Sequence, residues 1–332
     1  MNSVTAVTFW CLSESFFNSC QTGYPTSGMS KLLISKLTFL ATLVGLVLLL
    51  EPLPLSGQVR KPCPGGVTLK TSAGISLQGS LLLAEVLGPK TPPVFSSEWD
   101  GRASPLWRGD EKSATLHGLL GIDLEKPPGR YEWKVSWSGA DGSALTCSVF
   151  ITVHSAKFPT ERLKVEKQFV QPDPEQEKRA AEDQKKMRAI YDTVTPERLW
   201  DGKFRLPLKD GATGNNFGGR RILNGEPRSP HAGVDFPAAA GTPVFASQSG
   251  RVVLAEPLFY SGNTVVIDHG YGIYTLYAHF SEIGVHAGDR VKAGAEIGKV
   301  GATGRVTGPH LHWGLTINHA RVNAMDIAQR QP

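Results

Sequence analysis

Alternating apolar and polar residues recur in this chain in short runs, and Gly, Pro, Asn or Asp interrupts them again and again. A period of two belongs to extended strands, whose successive side chains point to opposite faces. Between residues 58 and 156 the runs are VTLKTS (67–72), ISLQGSLLLAEV (75–86), YEWKVSW (131–137) and CSVFITV (147–153), separated by Gly-Pro, Pro-Pro-Gly and Ala-Asp-Gly. Strands at such spacing predict an antiparallel β-sandwich of immunoglobulin type. From Phe204 onward the pattern continues with more glycine. The segment from Gly241 to Ala246 leads to Gly250-Arg-Val252, and that from Gly288 to Gly294 leads to Ile297-Gly-Lys-Val300. Each half of this echo reads as a strand, a tight turn and a returning strand, so the fold class is mostly β.

At 332 residues the chain exceeds one ordinary domain, and 40% hydrophobic residues can fill two cores. The expected organisation is an N-terminal extension and export signal over 1–57, a β-sandwich over 58–156, a linker over 157–200 and an antiparallel β domain over 201–332. In the linker, Asp173 followed by Pro174 and Glu175 marks a helix start. The charged stretch EQEKRAAEDQKKMRAIYD then reads as a solvated spacer helix, with a second short turn at Thr195-Pro196-Glu197. The formal charge of +5 is mild, and its Lys and Arg are scattered rather than striped with aromatics, which argues against a nucleic-acid partner.

Residues 37–50 read LTFLATLVGLVLLL, preceded by Lys31 and Lys36 and followed by Pro52, Pro54, Ser56 and Gly57. A basic start, a short apolar core and small residues describe an export signal beginning at Met29 and cleaved near Gly57. The competing reading is an uncleaved anchor, which would tie the chain to a membrane, although a span wants about 20 apolar residues. No cysteine follows Gly57 closely enough for a lipidated terminus there. Cys11 and Cys20 precede the signal. Cys63 and Cys147 remain, and two cysteines near opposite ends of one exported domain suggest a disulfide, the alternative being two buried thiols.

Six of the nine histidines follow residue 260, and a seventh, His231, stands four residues before Asp235. In an extended strand the His231 and Asp235 side chains share a face, and Gly233 between them leaves room for a third group. His310-Leu-His312 is another same-face pair, entered through the turn Gly304-Arg-Val-Thr-Gly308-Pro309. In YTLYAHF, Tyr277 and His279 are expected to share a face. A catalytic zinc takes three His, Asp or Glu ligands and keeps one position open. Two histidines and an aspartate meet that requirement, and histidines left over suit proton transfer near neutral pH. Spacing does not say which of His310 and His312 would bind the metal.

The segments FGGRR, SPHAGVDFPAAAGTPVFASQSGRVV and GNTVVIDHGYGIYTLYAHFSEIGVHAGDRVKAGAEIGKVGATGRVTGPHLHWGL resemble the lysostaphin/LytM-type zinc metallopeptidases, which hydrolyse peptidoglycan peptides. The resemblance covers roughly residues 217–323, about a third of the chain. It implies one zinc ion per chain held by His231, Asp235 and His312, with His279 and His310 as the catalytic histidines. It further implies a periplasmic or cell-envelope location and peptidoglycan peptides as the partner. Residues 58–156 and their KFPTERL tail resemble an N-terminal β-domain that precedes such peptidases, and this domain would target the enzyme or inhibit it by covering its groove until a regulatory partner moves it. Some Gram-positive members carry a tyrosine before the first ligand. Here that stretch reads ILNGEPRSP, leaving Arg220 or Arg221 to stabilise an oxyanion, the alternative being a structural salt bridge, and Asn263 and Thr307 as groove residues or turn formers.

His117 and His154 are solitary and read as structural or exposed, His269 as a turn residue, His286 and His319 as surface residues, and Trp313 as core. Two other functions compete with hydrolysis. A non-catalytic regulator of a wall amidase would use the same fold but lack ligands or catalytic histidines, whereas all five positions are filled. A lipoyl-like carrier would need only a lysine at a hairpin tip, not this histidine set.

Overall fold

In the computed structural model, residues 57–88, 94–109, 113–209 and 216–330 are described; the export signal expected at 37–50 lies outside them. No helix among the described residues is long and apolar enough to cross a membrane.

Strict alternation sets the core of the N-terminal half. In the strand Gly129–Ser138, Trp133, Val135 and Trp137 are buried while Glu132 and Ser138 face out. Across the ladder, the strand Ala144–His154 buries Cys147, Val149, Ile151 and Val153, with Val149 opposite Trp133 and Cys147 opposite Val135. The sheet runs Ile75–Leu77, Ala144–His154, Gly129–Ser138, Phe95–Trp99, Arg102–Ala103. A second sheet runs Val59–Pro62, Thr68–Thr71, Leu81–Leu87, Thr115–Gly121, Leu106–Arg108, and contributes Leu69, Leu82, Val86 and Leu120 to the same apolar layer. One pairing departs from the antiparallel expectation: Ile75–Leu77 runs parallel to Ala144–His154. Cys63 and Cys147 are disulfide-bonded across 84 residues. Closing so long a loop stabilises the fold by about 4–5 kcal/mol in the chain-entropy account.

The C-terminal half is built on a nine-stranded sheet whose central path is Gly233–Pro237, His310–Ile317, Ile273–Ile283, Gly262–Asp268, Gly250–Leu258, Arg290–Val291. The middle strand Gly262–Asp268 reads TVVI without alternation because both of its faces are covered. Val265 and Ile267 pack into the main core, and Val266 packs on the other side with Leu254, Leu258 and Tyr274.

The cover on that second face is the helix Pro174–Tyr191, and here the spacer reading is corrected. Its start is as expected: Asp173 caps the Gln176 N–H at 2.8 Å, and the Gln176 side chain accepts the Asp173 N–H in return. Its last turn, however, lays Met187, Ile190 and Tyr191 on the sheet, with Tyr191 edge-on to Tyr274 at 5.4 Å. Three apolar residues clustered at one end of a charged helix produce little overall periodicity, which is why the packing face was not legible.

The two halves share a single apolar layer. Leu81, Trp107, Leu119 and Leu124 pack with Trp200, Phe204, Ile317 and Val322, each such burial contributing roughly 1.5–3 kcal/mol. Arg321 closes the rim: its Nε and Nη2 donate to both Asp123 carboxylate oxygens at 2.9 and 2.8 Å, and Nη2 also reaches Glu125. The strand Thr160–Leu163 then pairs in parallel with Arg220–Leu223. Sequence from before the helix is thereby placed beside the histidine-bearing strands.

Candidate metal centre

Two adjacent strands and the loop before one of them bring the donors together. Asp235 lies opposite His312, and His312 lies opposite Ala278, so their side chains share one face of the sheet. His231 approaches from the loop just before Gly233–Pro237 and is buried. Its Nε2 lies 2.8 Å from Nδ1 of His312 and 3.0 Å from Oδ1 of Asp235, and that Nδ1 lies 2.9 Å from the same oxygen. Gly233 makes the approach feasible, since a Cβ there would stand 2.6 Å from Cε1 and Nε2 of His312. The third group for which Gly233 leaves room is the His312 ring.

The tautomers follow from what each ring faces. A backbone carbonyl can only accept, so His231 Nδ1 must donate to the Asn216 carbonyl at 3.0 Å, leaving Nε2 as a lone pair. That lone pair faces a carboxylate oxygen, so two acceptors meet with no hydrogen between them. Burial alone would raise the Asp235 carboxyl, but the two imidazoles packed against it, His231 and His312, outweigh burial and hold the group far below the usual carboxylate range. Burial lowers His312 in turn, with Asp235 opposing. Such a triangle calls for a cation at its centre. Ligands of a tetrahedral zinc with bonds of about 2.0–2.1 Å stand about 3.3 Å apart, a few tenths of an ångström wider than these donors. The set fits a small divalent ion.

His310 and His279 flank the triangle. His310 donates from Nδ1 to the Gly308 carbonyl at 2.8 Å, and its Nε2 lies 3.7 Å from Asp235 Oδ1. His279 donates from Nδ1 to the Thr303 carbonyl at 2.8 Å, and its ring centre is 4.8 Å from that of His310. Burial, reinforced by His312 and His310, pushes His279 down to about 3, so its imidazole is neutral. Its position corrects the expectation that it shares a face with Tyr277. Tyr277 lies in the core with Trp313, whereas His279 turns to the site face. Between Asn263/Phe280 and Val265/Tyr277 the ladder carries one extra residue on the histidine strand, and His279 takes φ +67° there. Such a bulge re-aims a side chain at the cost of left-handed backbone.

The site opens into a cleft of about 340 Å³. Arg221 lines it, 3.4 Å from Asp235 and 3.7 Å from Glu161, while Arg220 is exposed and turned away. Thr307 lies exposed on the rim. Asn263 is not in the cleft: its Nδ2 donates to the Phe280 carbonyl, which stabilises the bulge instead. His269 is fully buried between the Ser249 carbonyl and Thr275, and His286 is exposed, as read from sequence. His319 is likewise exposed, beside Asp192 at 3.4 Å.

Sequence reasoning missed three cleft residues. Asn216 precedes the FGGRR segment and contacts both His231 and Asp235. Glu161 comes from the upstream parallel strand, and Arg305 sits inside the turn leading to His310. Only Arg305 had a signal, being a long cation within an otherwise small-residue turn.

Comparison with known proteins is consistent with this geometry. A profile described as peptidase family M23 matches residues 229–324. A crystal structure from Pseudomonas aeruginosa, described as a candidate peptidase M23, is 30% identical and aligns over 81% of this chain and 95% of its own, with a TM-score of 0.57. The chain belongs to peptidase family M23. Among curated relatives, the peptidoglycan DD-endopeptidase ShyA of Vibrio cholerae is 44% identical over 126 residues, 38% of this chain and 28% of the relative. The DD-carboxypeptidase/endopeptidase Mpg of Neisseria meningitidis is 44% identical over 102 residues, 31% of this chain and 24% of the relative. The aligned segments span only about a quarter of each of these two relatives, and the M23 match on this chain contains His231, Asp235, His279, His310 and His312.

Proposed function

We propose that this chain is a zinc-dependent endopeptidase that hydrolyses peptide cross-links or stem peptides of bacterial peptidoglycan. The observation that carries the reading is the meeting of His231 Nε2 and Asp235 Oδ1, two acceptors 3.0 Å apart with His312 Nδ1 completing the triangle. His231, Asp235 and His312 would hold the ion. When bound, zinc supplies Lewis-acid polarisation of the scissile carbonyl and makes water acidic enough to attack near neutral pH. The remaining work falls to the chain. His279 and His310, each with Nδ1 fixed to a carbonyl and Nε2 free, accept the proton of the attacking water and return it to the leaving amine. Arg221 offers positive charge at the cleft for the developing oxyanion.

The names of the relatives support a wall-peptide substrate, and such a substrate would place the reaction outside the cytoplasm, in keeping with the export signal expected at 37–50. The presence of all five positions favours catalysis over a non-catalytic regulator. Metal analysis of His231→Ala and His279→Ala provides the test: zinc is lost in the first alone, and release of peptides from purified sacculi, followed by mass spectrometry, stops in both. Full activity in both variants would end the proposal.

A further inference from the structure

Among the described residues, Arg305 has no carboxylate within ion-pair range, and its guanidinium donates to no carbonyl; its one partner is the face of Tyr260, 4.6 Å from the ring centre. The other cations nearby are engaged. Arg221 faces Glu161 and Asp235, and Arg228 faces Glu226. Asp235 is further occupied by the two histidines. A guanidinium has five donors in a fixed fork, and one that is partly desolvated with none of them used is costly unless a ligand uses them.

Its placement is fixed. Arg305 lines the histidine cleft and also a second groove of about 510 Å³, which runs past Tyr260 and Ser261 to Met187 of the helix. The Arg305 N–H donates to the Tyr260 carbonyl, and Gly304, at φ +76°, lies so close to Gly262 that a Cβ would stand 2.4 Å from its nitrogen. The same turn holds His279, through the Thr303 carbonyl. A rigid loop therefore carries the base's anchor and the unpaired cation two residues apart.

We propose that Arg305 is a specificity-determining residue that binds a free carboxylate of the peptide substrate, at the junction of the cleft and the second groove. The flat guanidinium, steadied by Tyr260, suits two parallel N–H···O bonds to a carboxylate, a geometry that lysine cannot reproduce. The inference deepens the endopeptidase reading and rests on it for the identity of the ligand as a peptide.

The test uses the full chain and three peptides of one wall-peptide sequence: one with only a side-chain carboxylate, one with only a C-terminal carboxylate, and one with both amidated. Binding is measured by calorimetry in a His279→Ala background, and turnover in the chain with His279 intact. Arg305→Met is expected to weaken binding of one carboxylate peptide tenfold or more, to raise KM more than it lowers kcat, and to leave the doubly amidated peptide within twofold. Whichever carboxylate peptide responds identifies the source. Arg305→Lys should recover part of the loss and serves as the comparison if Arg305→Met does not fold. Equal loss for all three peptides, no loss for any, or failure of every peptide to bind the Arg305 protein would overturn the proposal. Carboxylate-dependent binding without turnover would instead sink the endopeptidase reading and leave Arg305 as an anion site.

Discussion

Asn216 holds Asp235 at two points: its Nδ2 donates to the carboxylate at 2.8 Å, and its Oδ1 accepts the Asp235 backbone N–H at 3.1 Å. Its own carbonyl fixes the His231 ring. One residue therefore orients two of the three donors. Outer partners of this kind typically change metal affinity 10–100-fold when removed. Asn216→Ala is expected to bind zinc about 10–100-fold more weakly by chelator competition, with its circular dichroism unchanged, because only side-chain bonds at the site are lost.

Gly233→Ala tests the closeness of the donors. The added methyl would press both on the His312 ring and on the Trp313 carbonyl, which would stand 2.7 Å from it. Overpacking of this kind costs about 1–3 kcal/mol. Zinc should raise the melting temperature of the parent chain, since a ligand bound only to the folded state stabilises it. That rise should disappear in Gly233→Ala. A variant with an undiminished zinc-dependent rise would show that the donors need not converge so closely.

Acid should destabilise the fold through His269. Burial lowers its folded value to about 4, while the unfolded imidazole titrates near 6.5. Between those values the unfolded chain binds the extra proton, so this contribution is fully present above pH of about 6.5 and fades as pH falls toward 4, by up to roughly 3 kcal/mol. Urea unfolding at pH 7 and 4.5 should show the loss in the parent chain and a smaller one in His269→Gln. Equal losses would place the acid sensitivity elsewhere.

The Arg321–Asp123 pair should couple the two halves of the molecule. Arg321→Ala is expected to cost about 1–3 kcal/mol, since the bonds are charge-assisted but the pair is partly exposed. The double variant with Asp123→Ala should cost less than the sum of the singles, by about 1 kcal/mol or more, in denaturant titrations. Strict additivity would mean that the pair contributes nothing beyond its separate residues.

The sequence revealed the site's donors more readily than their surroundings. Period-two alternation at Trp133, Val135 and Trp137 and the paired histidine spacings are local signals, and local signals survive in a string of letters. Asn216 reaches the cleft through a loop whose partners lie 15 and 19 residues further on, and Glu161 through a parallel strand paired with the distant Arg220–Leu223, and nothing in their neighbours announces this. His279 escaped for a different reason. Strict alternation assigned it to the face of Tyr277, and the extra residue that reverses it shows only in the strand opposite. The helix at 174–191 was found from its cap, but its packing face occupies only the final turn.

The reversed backbone at His279 ties chemistry to pairing. A strand mispaired by one residue at that bulge would point this imidazole into the apolar layer and leave Ala278 or Phe280 to meet the groove. A molecule folded in the wrong register there would hold its donor triangle yet lack one of the two imidazoles that flank it.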